Sequence, residues 1–307
     1  KNRLVAGGFV LNGVGEMAGL NQVREWGWLE TPILLTNSHS VGRVLSGVIS
    51  YMSSKYPSIG VETDVVLPVV GETDDSYLND VRVGTCSAQN AITAIKAARG
   101  GPVEQGSMGA GTGMITCDFA GGIGTSSRVV SLSEGDFILG VLVLSNFGRM
   151  RNLTIDGAVA GRSLDRLYSQ DKRRRFSYGS IIVVVGTNVP LLSSQLSRVA
   201  KRAALGLGRA GSYADSASGE IILAFSTANR TPRAAKDRKR FLNLRFVEDP
   251  HVNLVYEAAI EATEEAVLNA VFCSAGMNGR EGRVCPAIPP EKVLEILHHG
   301  REPHDRR

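Results

Sequence analysis

The stretch Gly179-Ser180-Ile181-Ile182-Val183-Val184-Val185 decides how the chain must be layered. Five apolar residues in succession, all of them β-branched, favour a strand. They show no polar alternation, so both faces of that strand are covered. Working outward, similar strands are expected at residues 32–35, 65–70, 114–118, 136–144 and 221–226. Between them lie helical periods. Val41, Val44, Leu45, Val48 and Ile49 form one face of a helix over 41–51. A second helix over 90–98 stops at Gly100 and Gly101. Leu192, Leu196, Val199, Ala203 and Leu207 mark a third, after Pro190. A longer Ala- and Glu-rich helix runs over 255–272, and Pro289-Pro290 start a short one over 292–298. Buried strands interspersed with amphipathic helices predict a layered α/β or α+β protein. Residues 148–179 break the rhythm with about thirty residues of mixed charge and weak periodicity, long for a loop in a compact domain.

Composition agrees with a packed protein. Of 307 residues, 43% are hydrophobic and 21% charged, which is too apolar for a disordered chain. The 35 glycines follow no three-residue period, so collagen is excluded. No stretch reaches the ~18–20 uninterrupted apolar residues of a membrane span. The net charge of +4 is unevenly placed. Residues 149–175 hold eight basic side chains against three acidic, and residues 228–246 hold seven against one. These two excesses together outweigh the total, so the remaining body is acidic. Such runs are most often solvated loops or helix faces. A nucleic-acid binder would interleave them with stacking aromatics or set them on a recognisable motif, and Tyr168, Phe176 and Tyr178 form no repeat. Cys86, Cys117, Cys273 and Cys285 have no C-x-x-C spacing, so free thiols in a reducing, cytoplasmic compartment are expected.

The basic segment runs directly into Gly179-Ser180. A serine hydroxyl can attack the preceding carbonyl when the peptide is held distorted, and the resulting ester hydrolyses to leave serine with a free α-amine. Glycine before it permits close approach and unusual backbone angles. A terminal amine, with a pKa of about 8, can act as general base for its own hydroxyl. Taken alone, Gly-Ser ahead of a strand more often marks a loop entering a strand.

Its surroundings carry more. Leu11-Asn12-Gly13-Val14-Gly15-Glu16-Met17, Thr36-Asn37-Ser38-His39-Ser40-Val41-Gly42 and Val69-Val70-Gly71-Glu72-Thr73 are each distinctive. So are Gly109-Ala110-Gly111-Thr112-Gly113-Met114, Gly122-Ile123-Gly124-Thr125-Ser126-Ser127-Arg128 and Asn146-Phe147-Gly148. After the junction come Pro190-Leu191-Leu192, Leu205-Gly206-Leu207, Arg209-Ala210-Gly211-Ser212, Ser218-Gly219-Glu220 and Asn278-Gly279-Arg280. In this order, over residues 9–285, the chain resembles the DmpA family of L-aminopeptidase/D-amidase/D-esterase enzymes and β-peptidyl aminopeptidases.

The resemblance implies an α+β fold, a four-layer αββα sandwich, forming one catalytic domain over 1–307. It implies self-cleavage between Gly179 and Ser180 into an α chain (1–179) and a β chain (180–307), with 149–179 a flexible basic end. Ser180 would be the nucleophile of both self-cleavage and turnover, through an acyl-Ser180 intermediate. Asn146 would offer its amide to the oxyanion, and Ser218 and Glu220 would orient the nucleophile. The base would be either the Ser180 amine or the Ser218/Glu220 pair. Glu72 would receive the substrate's free ammonium. Read without the resemblance, Asn146 is a turn residue beside Gly148, and Glu220 and Glu72 are ordinary solvated acids. The implied substrates are peptides, amides or esters with an L-α, D-α or β N-terminal residue. The implied assembly is a tetramer of α/β units, with no metal or organic cofactor, no nucleic acid and no membrane. Family members carry a further N-terminal portion, which implies residues ahead of Lys1. Where some have an aromatic two residues after the Glu, this chain has Asp74, followed by Asp75 and Tyr77, so side-chain preference does not carry over.

Other readings are weaker. Gly106–Gly113 lacks the preceding strand, following helix and downstream acid of a dinucleotide loop, and reads as close backbone packing. His39 is expected to be structural, since the family uses no histidine base. His298 and His299 are adjacent and unsuited to sharing a metal. An ornithine acetyltransferase-type acyltransferase would share the fold but use threonine, and a non-catalytic scaffold or nucleic-acid binder would use the basic runs.

Overall fold

The computed structural model describes residues 2–84, 86–168, 179–233 and 241–301. The run at Ile181 is the middle of strand β10 (Gly179–Thr187), one of six strands in the larger sheet. The others are β1 (Asn2–Gly13), β3 (Trp28–Leu29), β8 (Gly122–Leu132), β9 (Gly135–Asn146) and β11 (Ser218–Pro232), in the order β3-β1-β11-β10-β9-β8. Alternate β10 residues take opposite sides. Ile181, Val183 and Val185 face one core, with Ile182 and Val184 in another, as an uninterrupted apolar strand requires. The smaller sheet has β2 (Met17–Ala18), β5 (Val69–Thr73) and β4 (Ile33–Asn37), in that order.

Each sheet contains one parallel pair, and a parallel pair needs a crossover. Helix α5 (Ser193–Arg209) connects β10 to β11, and α2 (Val41–Lys55) connects β4 to β5. The two helices lie on opposite outer faces. With α6 (Asn253–Phe272), α5 buries Leu196, Val199, Ala203, Val255 and Ala259 against β9, β10 and β11. With α3 (Ala88–Ala97), α2 buries Val44, Val48 and Ala91 against Leu34 and Val70. The inner faces then meet directly, through Val69 on one side and Leu144, Ile182, Ile221 and Leu223 on the other. The result is the expected αββα order of layers.

The sheets approach closely at Gly71, where a Cβ would lie 3.1 Å from Ile182 and 3.2 Å from Leu35. Helix α1 (Leu20–Trp26) packs beside β1, and two small ribbons, β6 (Ile115–Thr116) with β7 (Phe119–Ala120) and β12 (Met277–Asn278) with β13 (Val284–Cys285), complete the strands.

Three expectations change. The strand at 65–70 begins only at Val69, and that at 114–118 shortens to β6, because Cys117 and Asp118 adopt left-handed φ values of 51° and 62° and turn the chain into β7. The segment expected to be a flexible end is packed over its first part. Met150, Leu153, Ile155 and Leu164 of helix α4 (Gly161–Leu167) are buried with Val271 and with Val293 of α7 (Pro290–Arg301). The remainder of that segment, 169–178, lies outside the described residues. Finally, β1, β8 and α1 were not anticipated, because their sequences are rich in glycine or polar residues.

Candidate active site

Ser180 is the second residue of β10 and is 5% exposed. Strand register sets its neighbours. It stands opposite Asn146 on antiparallel β9 and beside Gly219 on parallel β11. Two-residue alternation puts Ser180 on the side of Ile182, and Asn146 on the side of Leu144, so both face the space between the sheets. Gly179 is required by this approach, since a Cβ there would collide with the Asn146 carbonyl and crowd the Phe147 Cα at 3.0 Å.

Asn146 is 1% exposed, and its amide cannot turn over. Its Oδ1 accepts from the Ile115 backbone N–H at 2.8 Å, and its Nδ2 donates to the Asp74 carbonyl at 2.7 Å. One donor and one acceptor fix which end is which. A second N–H remains on Nδ2, on a rigid side chain next to Ser180. That is what an oxyanion donor needs: a preset dipole that does not reorganise during reaction.

On the other flank, β11 carries Ser218 and Glu220, 4% and 0% exposed. Ser218 Oγ donates to Glu220 Oε1 at 2.5 Å. Burial pushes the Glu220 carboxyl above the ordinary carboxylate range, the Ser218 hydrogen bond acts against this, and the negative Asp215 adds to the rise. Glu220 Oε2 has no hydrogen-bond partner among the described residues.

Glu72, near the end of β5, is 6% exposed. Its Oε1 accepts from the Glu16 backbone N–H at 2.8 Å, and its Oε2 accepts from Ser38 Oγ. Gly15 connects this carboxylate to the nucleophile's surroundings. With φ of +155°, it leaves a gap where a Cβ would lie 3.1 Å from Glu72 Oε1 and 4.0 Å from the Gly219 Cα. A Cβ on Gly219 would in turn strike the Val14 carbonyl. The Leu11–Met17 motif is therefore a glycine-lined turn wedged between Glu72 and the strand beside Ser180.

Ser180, Asn146 and Glu72 thus come to one end of the inter-sheet layer, while Ser218 and Glu220 flank Gly219, the residue beside Ser180, and by the same alternation share the side of Ile222 and Ala224. Asp74 and Asp75 enter it indirectly. The Asp74 carbonyl holds Asn146, while its Oδ1 takes the Ser76 N–H at 2.8 Å. Asp75, 3% exposed, accepts at Oδ2 from Asn37 Nδ2 at 3.0 Å and Asn79 Nδ2 at 2.6 Å. His39 is exposed on the 3-10 turn Ser38–Ser40, and His298 lies on α7, away from these residues in the fold. Among the described residues, no group of three or more His, Cys, Asp or Glu could hold a metal ion. The Gly106–Gly113 stretch packs backbone to backbone. Gly106 exchanges hydrogen bonds with Ile123 at 2.7 and 2.9 Å, and a Cβ on Gly111 would meet the Gly106 carbonyl at 2.6 Å. Sequence reasoning missed Ser38, Asn37 and the Glu16 amide; the distinctive Thr36–Gly42 motif was the signal for the first two and Leu11–Met17 for the third.

Comparison with known proteins identifies the family. Residues 1–285 match the model of peptidase family S58. The chain belongs to that family. A β-peptidyl aminopeptidase, BapA, from Sphingosinicella xenopeptidilytica is 36% identical over 303 residues, covering 96% of this chain and 75% of the relative. The PH0078 protein of Pyrococcus horikoshii OT3 superposes with a TM-score of 0.91 at 40% identity, covering 98% of this chain and 82% of that one. The L-aminopeptidase D-ala-esterase/amidase of Ochrobactrum anthropi, described as a prototype serine aminopeptidase and a variant of the Ntn hydrolase fold, superposes at 0.90 with 36% identity and the same coverage. This S58 member is accordingly a serine aminopeptidase/amidase of the N-terminal-nucleophile class, acting on peptide or amide substrates. No helix among the described residues is long and apolar enough to cross a membrane.

Proposed function

We propose that this S58 peptidase cuts itself between Gly179 and Ser180 and then hydrolyses amides or esters that follow a free N-terminal residue. The observation that carries this reading is the register that sets Ser180 between Asn146 on β9 and Gly219 on β11, with Ser218 and Glu220 on either side of Gly219. In turnover, the Ser180 amine takes the hydroxyl proton as Oγ attacks the scissile carbonyl. The oxyanion forms against the free N–H of Asn146 Nδ2. The intermediate collapses, the leaving amine departs with the proton, and water then hydrolyses the acyl-Ser180 ester by the same steps in reverse. The Ser218–Glu220 pair, buried on the strand beside Ser180, helps orient the nucleophile. Glu72 receives the substrate ammonium, and the acidic body outside the two basic runs favours approach of cations.

Denaturing electrophoresis with N-terminal sequencing tests the cut. The wild-type protein should give a fragment beginning Ser-Ile-Ile-Val, and Ser180→Ala should stay whole; an intact wild-type chain that hydrolyses no aminoacyl amide would sink the reading. Assembly into a tetramer is part of the same proposal. It is supported by exposed Val129 and Ile138, which pair across β8 and β9, and light scattering at the protomer mass would refute it. A reducing cytoplasmic location is supported by four free cysteines. A nucleic-acid role is disfavoured because Arg233 of the second basic run is turned inward to Glu30, at 3.3 Å; residues 234–240 of that run lie outside the described residues.

A further inference from the structure

Asn37, the last residue of β4, and Ser38, the first of the turn after it, hold both ends of the acidic segment 72–75 that closes β5. Ser38 Oγ donates to Glu72 Oε2, while the Glu16 N–H holds Oε1 at 2.8 Å. Asn37 Nδ2 donates to Asp75 Oδ2 at 3.0 Å. Between these anchors, the Asp74 carbonyl takes the hydrogen bond of Asn146 Nδ2 at 2.7 Å. The segment 72–75 therefore links a buried carboxylate, held at both oxygens, to the amide beside Ser180. Its two ends are pinned by adjacent residues, one the last of β4 and one the first of the turn that follows.

We propose that Ser38 is a positioning residue: it fixes the span between Glu72 and Asn146, and so sets whether an α- or a β-amino N-terminal residue is hydrolysed faster. This rests on the reading of Glu72 as the ammonium receptor. A β-residue has one more carbon between its amine and its scissile carbonyl, which lengthens that span by at most about 1.5 Å, one C–C bond. A carboxylate tied at both oxygens cannot follow such a change. One tied only by the Glu16 amide can swing about that bond and accept either substrate. Ser38 touches neither the scissile carbonyl nor the nucleophile in this arrangement; it acts through Glu72.

The test uses the full chain and three substrates with one common side chain: an L-α-aminoacyl p-nitroanilide, its β-homologue, and a desamino p-nitrophenyl ester. Ser38→Ala should raise KM for the preferred aminoacyl substrate about tenfold, the scale of one hydrogen bond to a charged group, with a much smaller change in kcat. The α-to-β ratio of kcat/KM should move toward one, the desamino ester should be unaffected, and Ser38→Thr should restore the wild-type ratio. An unchanged KM and ratio, or an equal loss on all three substrates, would overturn the proposal. Glu72→Gln separates the two layers of the argument. If it weakens both aminoacyl substrates and spares the ester while Ser38→Ala does nothing, positioning by Ser38 fails alone. If Glu72→Gln spares every substrate, the ammonium reading itself fails, and the proposal with it. Should Ser38→Ala not fold, Ser38→Cys, of similar size and weaker as a donor, carries the same comparison.

Discussion

At the scale of single residues, the chemistry depends on side chains that have lost their freedom. Asn146 is held by Ile115 and Asp74, so Asn146→Ala removes a preset donor. The expected result is a kcat lower by about 10²–10³ with KM little changed, the size of effect seen on removing one oxyanion donor; single-turnover acylation rates measure it. Glu220 gives a pH signature. Burial holds its carboxyl above the ordinary range, so the folded protein binds this proton more tightly than the unfolded chain does. Its stabilisation is fully present below the ordinary carboxylate value and is lost as pH rises through the raised one. Glu220→Gln, always neutral, lacks that loss. The thermal midpoint of the variant relative to wild type should climb from acid toward neutral pH and then level off, whereas a flat difference would remove ionisation from the account. Ser180, Asn146, Ser218 and Glu220 each stand in a short distinctive motif, as does Ser38, but no motif showed what Ser38 or the Asp74 carbonyl would hold. Their part depends on which oxygen meets which nitrogen across the small sheet, and strand pairing brings together residues 34 apart that no local pattern links.

At the scale of elements, helices and central strands were legible where side chains make the pattern. α2, α3, α5 and α6 follow apolar periodicity, and β10 follows its own uninterrupted run. β8 was hidden because it is built to be crossed closely. At Gly124 a Cβ would collide with the Ala266 carbonyl and lie 2.7 Å from the Ala270 nitrogen, so α6 rests directly on the strand backbone. A strand selected for small residues shows no hydrophobic signal. Gly124→Ala should therefore cost roughly 1–3 kcal/mol or more, the usual penalty of overpacking. Gly140→Ala on β9, with nothing within 4 Å of the new Cβ, should stay within about 0.5 kcal/mol of wild type. Urea unfolding midpoints compare the two; equal losses would mean that strand entropy, not the helix contact, sets the cost.

At the scale of the whole molecule, one buried ion pair ties the two sheets' peripheries together. Arg233, just past the end of β11, meets Glu30 at 3.3 Å, with side chains 8% and 4% exposed, and donates to the carbonyls of Asp64 and Val65 at 2.6 and 2.8 Å. Glu30→Ala leaves that guanidinium buried without its counter-charge, and a loss of about 3–5 kcal/mol is expected by calorimetry. A layered α/β or α+β protein was readable from buried strands interspersed with amphipathic helices, and the αββα order came with the family resemblance. The order of strands within the larger sheet was not readable, and it has its own consequence. β10 lies between β9, which precedes Gly179, and β11, which follows it, and β11 in turn pairs with β1. A break in the chain ahead of Ser180 would leave the two pieces interleaved like clasped fingers. They could part only by tearing the central sheet, and after parting they would have to find each other again by diffusion. Heat or denaturant would then act once and for all, and recovery would depend on how concentrated the fragments are.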